Sequence, residues 1–371
     1  MDSASEIVKI AKKNKAILMK HFSGNKAWPE RLLKKYQKHE LNAMMFLAME
    51  KPLEFCRFTK TTFFELEKII NNPEYTHHQI AKKKGGYRNI HAPSKELKSI
   101  QKRFNYFLQA YYLMIKPIEV HGFVVNPHYL GTYCNIVANA KVHVKKRYVL
   151  NIDLQDFFPS IQAYRVKRLF LSSLFEFNEQ TATVLALLTT YQGSLPIGAP
   201  TSPVISNFIC MDLDRDLKEI SSQNNLAYTR YADDLTFSCD SGISNVLLDE
   251  IIKIIRNNKF EINERKLRLK LAHRRQTVTG ITVNEKVNVD RKLLKKIRAM
   301  VHDLRLNGIE SATRNHFNLS EGSDDRLKSK FINRLEGYIN FVGQVRGKSD
   351  PFYLKQKSLF DGIFKTQIIE I

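Results

Sequence analysis

The chain has 371 residues, enough to bury a sizeable core and to form about two or three lobes. Its 59 Lys and Arg against 37 Asp and Glu give a formal charge of +22, which suits a polyanionic partner; a basic membrane-surface protein is the competing class. No stretch approaches the ~20 consecutive apolar residues of a spanning helix, the N-terminus lacks the apolar core of a signal peptide, and Cys56, Cys134, Cys210 and Cys239 show no zinc spacing, so reduced thiols in a cytoplasmic protein are expected.

From Ser3 to about Leu53, apolar and basic residues alternate at helical spacing, with Ile7, Ile10, Ala11 and Ile17 as a stripe. Trp28 before Pro29 marks a helix start, and Thr59 to Ile70 reads as one further helix. None of this region carries chemistry. Between His77 and Ile152, Lys and Arg far outnumber the acids Glu96 and Glu119, which concentrates positive charge in one lobe. Within it, Lys82 to Pro93 reads as a β-hairpin turning at Gly85-Gly86 with basic groups on both arms; on its own it is a solvated basic hairpin. His121-Gly122-Phe123 is followed by Asn139-Ala140-Lys141-Val142-His143, a polar pair at helical spacing whose ordinary reading is a structural hydrogen bond.

Tyr148 to Ile152 form an apolar strand that ends in Asp153, followed by Leu154-Gln155-Asp156-Phe157-Phe158. A lone Asp there is ordinarily a helix cap, and one of the two rings is core because strand neighbours face opposite ways. Ser194 to Asn207 is a loop with three prolines and Gly198, leading into a helix with Phe208, Ile209, Met211 and Leu213. Tyr228 to Ser238 reads as strand, tight turn, strand, with Asp233 and Asp234 at the tip. An Asp-rich turn is common, but adjacent carboxylates repel unless cations occupy the site. With Asp153 they make three carboxylates, the composition that holds two Mg²⁺ ions about 3.5–4 Å apart for in-line attack of a hydroxyl on an α-phosphate. Beyond lie a helix over Asn245 to Phe260, a basic segment to Arg268, and two short strands about Gly280 between Arg274 and Asn284. The helical tail from Asp290 has Leu293, Ile297, Met300, Val301 and Leu304 on one stripe and Leu327, Phe331, Leu335, Tyr338 and Val342 on another, with a loop at Ser320 to Asp325.

Tyr231-Ala232-Asp233-Asp234 and the Asp153 to Phe158 box resemble the catalytic motifs of reverse transcriptases, and Lys82 to Gln101 resembles their first block in bacteria. Asn139 to His143 and Val278-Thr279-Gly280 resemble features of the retron-type enzymes, within the group II intron-like superfamily. The resemblance runs from about Lys82 to the C-terminus. It implies an α+β right-hand polymerase: an N-terminal helical extension over 1–76, fingers mainly over 77–152, a palm with an antiparallel sheet and an interleaved fingers segment over 153–285, and a helical thumb over 286–371.

By the same resemblance Asp153, Asp233 and Asp234 are catalytic and, with Leu154, form the set for two Mg²⁺, Asp234 coordinating less directly. Arg88 lies over the incoming nucleotide, with Lys82, Lys83 and Lys84 near its triphosphate. Asp156 and Phe157 face the 3′-OH, and Phe158 is the steric gate beneath the 2′ position. Ile197 and Gly198 sit in the block that approaches nucleotide and template, but Ile197 stands where the family has Gln and cannot supply an amide's hydrogen bonds. Lys266 helps close the nucleotide site, and Lys292, Lys295, Lys296 and Arg298 flank a thumb that grips duplex backbone. Asn139, His143, Val278, Thr279 and Gly280 fall in the RNA-recognising region. The implied partners are deoxynucleotides, a structured noncoding RNA serving as template and primer, its DNA product branched from an RNA 2′-OH, and effector proteins of an anti-phage system, with no membrane. The alternatives are another bacterial reverse transcriptase of diversity-generating or intron type, against which the Asn139 and Val278 motifs count, and a non-catalytic RNA-binding scaffold descended from a polymerase, favoured by Ile197 alone.

Overall fold

A computed structural model describes residues 4–22, 28, 30–82, 85–125, 134–319 and 324–369. Contacts divide the chain into two compact units. The first comprises Met1–Cys134, Asn151–Thr236 and Ile243–Leu267, the second Asn135–Leu150, Phe237–Gly242 and Arg268–Ile371.

The first unit opens with helices α1 (Ala4–Lys13), α2 (Lys15–Phe22), α3 (Glu30–Leu33), α4 (Lys38–Leu47), α5 (Pro52–Thr59) and α6 (Phe63–Asn71). Ile7 and Ala11 of the expected stripe are buried, joined by Val8 and Leu18, while Ile10 and Ile17 are half-buried. The single helix expected from Thr59 is instead a break and a restart. Lys60 takes a left-handed conformation (φ 52) that ends α5, and Thr62 caps α6, its hydroxyl accepting from the Glu65 N–H while the Glu65 carboxylate accepts from the Thr62 N–H. Reciprocal satisfaction of orphan donors outweighs a continuous helix here.

Helix α7 (Lys95–Ile115) starts at Ser94, whose hydroxyl accepts from the Leu97 N–H. Its inner face meets α4 at Phe46. That ring lies 5.4 Å from Phe104, 6.2 Å from Phe107, 5.3 Å from Phe177, 6.3 Å from Phe175 and 6.5 Å from Phe58, mostly edge-on or tilted, as ring quadrupoles prefer. Between α6 and α7, strands β1 (Tyr75–Ala81) and β2 (Tyr87–Pro93) pair antiparallel from Tyr75↔Pro93 to Ala81↔Tyr87. Gly85 and Gly86 turn the hairpin with φ 91 and 78. Its first arm begins upstream of the basic run, so Lys82 sits at the turn; Lys83 and Lys84 lie outside the described residues.

A four-stranded sheet runs in the order β4 (Ala227–Tyr231), β5 (Asp234–Cys239), β3 (Tyr148–Asp153), β6 (Arg268–Leu271). The boundary between the units falls within β3 and β5. The Leu154 N–H donates to the Asp233 carbonyl and the Asn151 amide to the Thr236 hydroxyl, so numbering rises along one strand as it falls along the other and the pair is antiparallel. Helices α9 (Ala163–Leu171), α10 (Glu179–Thr189), α11 (Ser202–Ile209), α12 (Met211–Gln223) and α13 (Asn245–Asn257) complete the first unit.

In the second unit α8 (Ile136–Lys141) and the two-residue strands β7 (Thr277–Val278) and β8 (Ile281–Thr282) join α14 (Arg291–Phe317), α15 (Asp325–Arg346) and α16 (Pro351–Ile369). Both apolar stripes meet in one core: Ile297, Met300, Val301 and Leu304 pack with Phe331, Leu335, Ile339 and Val342. The expected loop at Ser320 to Asp325 falls largely outside the described residues, α15 beginning at its last position. No described helix is long and apolar enough to cross a membrane, and Cys56, Cys134, Cys210 and Cys239 form no disulfide among the described residues.

Phe46→Ala would empty the centre of the ring cluster and cost about 3–5 kcal/mol of stability, read as a lowered urea midpoint with an unchanged slope.

Candidate active site

The turn that presents Asp233 is held from behind by a charged group with no exposed surface. Arg230 is 0 % exposed. Its Nε and Nη2 bond both oxygens of Asp214, at 2.7 and 2.6 Å, while Nη1 donates to Asn207 Oδ1 at 2.9 Å and to the Ala232 carbonyl at 3.3 Å. The Tyr228 hydroxyl donates to Asp214 as well, at 2.8 Å. Burial alone would lower the Arg230 pKa, but the Asp214 charge more than offsets it and the guanidinium stays protonated. Ala232 sits left-handed (φ 60), an uncommon state for a residue with a Cβ. It is wedged against Gly122, where a Cβ would fall 2.4 Å from the Ala232 nitrogen, and the Gly122 carbonyl accepts from Asn207 Nδ2 at 3.0 Å. Only glycine fits there.

Asp153 emerges from β3 8 % exposed, both of its oxygens 2.8 Å from Lys266 Nζ. The lysine ends a 3₁₀ turn, Glu264–Lys266, docked by the Asn263 N–H on the Asp153 carbonyl at 2.7 Å. Asp234 keeps exposed surface, yet loss of water around its carboxyl, then the charges of Asp233 and Asp153, push its pKa up to about 7. Asp233 moves the same way through burial and Asp153, with Lys266 and Arg88 opposing. Carboxylates whose pKa is raised by burial and then by one another's charge have the chemistry of a hard-cation site. Among the described residues no three acidic, imidazole or thiol groups are drawn together as a finished metal centre. Leu154 has a buried side chain and an N–H committed to the Asp233 carbonyl, so its own carbonyl is the oxygen it could offer.

Asp153 and Asp233 open onto a cavity of about 1000 Å³, whose wall does not include Asp234. Lys82 and Arg88 line it from the hairpin, Asp156, Phe157 and Phe158 from the segment after β3, and Ile197, Asp233 and Lys266 from the remaining sides. The opposite-face expectation for strand neighbours does not apply to Phe157 and Phe158, because both lie in the turn after β3 and their ring centroids are 5.4 Å apart. Phe157 is buried against Phe260, centroids 5.8 Å apart, and Phe158 is half-buried, 5.7 Å from Phe123. Gly198 is not part of the wall. With φ 121 it lies against β2, where a Cβ would be 2.9 Å from the His91 carbonyl, and the His91 N–H holds the Ile197 carbonyl at 2.8 Å. His91, Asn89 and Tyr191, which the sequence reading did not single out, also line the cavity. Neither were Arg230, Asp214 and Asn207 singled out; an Arg within an otherwise apolar and aromatic strand was the available signal for the first.

The expected RNA contacts need correction. Asn139, His143 and Val278 are each 0 % exposed, so none can touch an RNA as the chain stands. His143 Nδ1 pairs with Ser238 Oγ at 2.7 Å, and Val278 belongs to the core beneath the β7–β8 turn. Thr279 (φ 46) and Gly280 (φ 84) make that turn; Gly280 is exposed, and the Thr279 hydroxyl donates to the Ile136 carbonyl at 3.3 Å. The motif is a support whose tip alone reaches solvent.

Residues 80–283 match the family described as reverse transcriptase (RNA-dependent DNA polymerase). The chain belongs to it. Retron Ec86 reverse transcriptase of Escherichia coli is 31% identical over 264 residues, 71% of this chain and 73% of that protein. Retron Ec73 reverse transcriptase, also of Escherichia coli, is 33% identical over 297 residues, covering 74% and 84%. Retron Mx65 reverse transcriptase of Myxococcus xanthus is 33% identical over 247 residues, 62% of this chain and 55% of that protein, so the chain spans little more than half of that relative's length. The family within reverse transcriptases is that of the retrons. Among solved structures, a Candida albicans telomerase with a telomeric RNA fragment aligns with TM-score 0.43 at 8% identity over 80% of this chain and 64% of that one. A foamy viral protease-reverse transcriptase with double-stranded DNA gives 0.41 at 15% identity over 78% and 38%; both are too distant to add to the assignment.

In this retron reverse transcriptase Arg230→Met would strand the Asp214 charge and cost about 3–5 kcal/mol by urea unfolding, while Arg230→Met with Asp214→Leu would recover much of that loss. Because the Asp234 pKa is raised on folding, its protonation favours the folded state. Stability without divalent ions should therefore climb as pH falls from about 8 toward 5, and Asp234→Asn should flatten that slope in melts recorded with EDTA.

Proposed function

We propose that the chain is the RNA-directed DNA polymerase of a retron, which copies part of a dedicated structured noncoding RNA into single-stranded DNA, starting from a 2′-OH of that RNA. The observation that carries the polymerase reading is the meeting of Asp153 and Asp233 with Arg88, Lys82 and Lys266 around one cavity of nucleotide size. Asp153, Asp233 and Asp234, with the Leu154 carbonyl, would hold two Mg²⁺, which when bound supply Lewis-acid activation of the primer hydroxyl and charge neutralisation at the triphosphate.

The chain's own groups supply the rest. Arg88 and Lys82 bind phosphate oxygens, the guanidinium adding fixed bond directions, and Lys83 and Lys84 extend the charge of that hairpin. Phe158 fills the space beneath the 2′ position and so disfavours ribonucleotides. The Asp156-Phe157 backbone, turned by the left-handed Asp156 (φ 42), faces the 3′-OH. Lys266 neutralises Asp153 until a phosphate competes for it. Ile197 offers only its backbone, so the loop selects by shape. Residues 77–152 act mainly as fingers, 153–285 as palm and 286–371 as a thumb holding the duplex, behind a helical extension over 1–76. Gly280 and Thr279 are the part of their motif left to reach RNA. A cytoplasmic, anti-phage role with an effector protein follows the retron assignment.

The test is expression with the neighbouring noncoding DNA, followed by RNase and DNase digestion of the nucleic acid that copurifies. DNA that carries an RNase-sensitive portion, and is lost with Asp233→Asn/Asp234→Asn while RNA still binds, is the expected outcome. RNA without DNA in both proteins, even with deoxynucleotides and Mg²⁺ supplied, would replace the polymerase by an RNA-binding scaffold.

A further inference from the structure

The second unit contains a separate cavity of about 910 Å³ between α14, the end of α15 and the start of α16. Arg298, His302 and Arg305 stand on its wall, four and three residues apart, so one face of α14 presents them together, and Lys355 adds an ammonium from α16. All four are exposed. Phe352 forms an apolar side, with the Arg298 guanidinium 5.1 Å from its ring centroid; stacking occupies a guanidinium's face and leaves its N–H edge for an acceptor.

Two polar side chains at this space have hydrogen-bonding capacity left over. Gln356 is 4 % exposed, and its side-chain amide makes no hydrogen bond among the described residues. Arg346 reaches Asp350 through Nη2 at 2.8 Å, but its Nε is buried without an acceptor. Neither Arg305 nor Lys355 has an ion-pair partner among the described residues. A buried donor left unpaired costs about 1–3 kcal/mol, so an acceptor brought into this space would complete Arg346, with the unbonded Gln356 amide beside it.

Guanidinium, ammonium, imidazole and amide donors converging on one space suit an oxyanion with several acceptor oxygens, and the volume exceeds what a bare phosphate fills. We propose that this cavity binds the phosphate of a single nucleotide of a nucleic-acid strand, with Phe352 against its sugar or base. A duplex backbone is convex and does not enter such a concavity; a strand end, carrying a monoester, or a splayed-out nucleotide, carrying a diester, does. The inference rests on the proposed function only for the source of the phosphate.

The test uses the full chain with a short 3′-fluorescein-labelled RNA bearing a 5′-phosphate, and the same strand with a 5′-hydroxyl, titrated by anisotropy. Arg305→Gln/Lys355→Gln should weaken binding of the phosphorylated strand about tenfold. Gln356→Leu, which changes no charge, should weaken it in the same direction, as general electrostatics would not. Loss confined to the phosphorylated strand assigns the monoester, and equal loss for both strands assigns the diester. Unchanged affinities, or a loss in the charge variant with none in Gln356→Leu, would overturn the site. Primer extension by the unaltered chain, measured alongside, reports on the polymerase reading separately.

Discussion

A guanidinium buried without exposed surface governs where the acids stand. Taking Arg230 and Asp214 out of water costs several kcal/mol per ion, and the return depends on every donor and lone pair being used. Here two bonds go to Asp214, one to Asn207 and one to the Ala232 carbonyl, so the network that satisfies the charge also fixes the turn carrying Asp233. Asn207 passes the constraint to Gly122, whose missing side chain lets the turn close. A flexible tip could carry the same two acids, but it would spend binding energy ordering them.

The acids form a negative centre in a chain of charge +22. Both signs of charge are screened over the same Debye length, ~8 Å at physiological salt, so attraction for a polyanion prevails because basic residues outnumber acids by 59 to 37. Lys266 trims the negative centre by taking both Asp153 oxygens. Acidic and basic side chains thus stand side by side around one cavity.

Much of this was legible in the sequence. Alternating aromatic and β-branched residues announced the strands around Asp233 and Asp234, and the stripe from Ile297 to Leu304 announced a packed helix, because local periodicity reports which side faces the core. Pairings remote in sequence were not. Arg230 finds Asp214 across 16 residues and Lys266 finds Asp153 across 113, and neither distance leaves a periodic trace. The cap at Thr62 was written in its spacing to Glu65 but hidden inside an apolar run. Asn139 and His143 stood out as polar residues, and polarity alone could not tell a surface contact from a buried bond. The second of these is a bond to a serine on β5.

The ring cluster around Phe46 bears on how this chain could be shortened or recombined. The family match begins at residue 80, which invites a cut there. Phe46 lies upstream of that point, and most of the rings it touches, Phe104, Phe107, Phe175 and Phe177, lie downstream. A chimera joined at the family boundary would inherit half of an apolar interior and expose the other half to water, so the unit that can be exchanged between relatives begins with the helices ahead of the motifs.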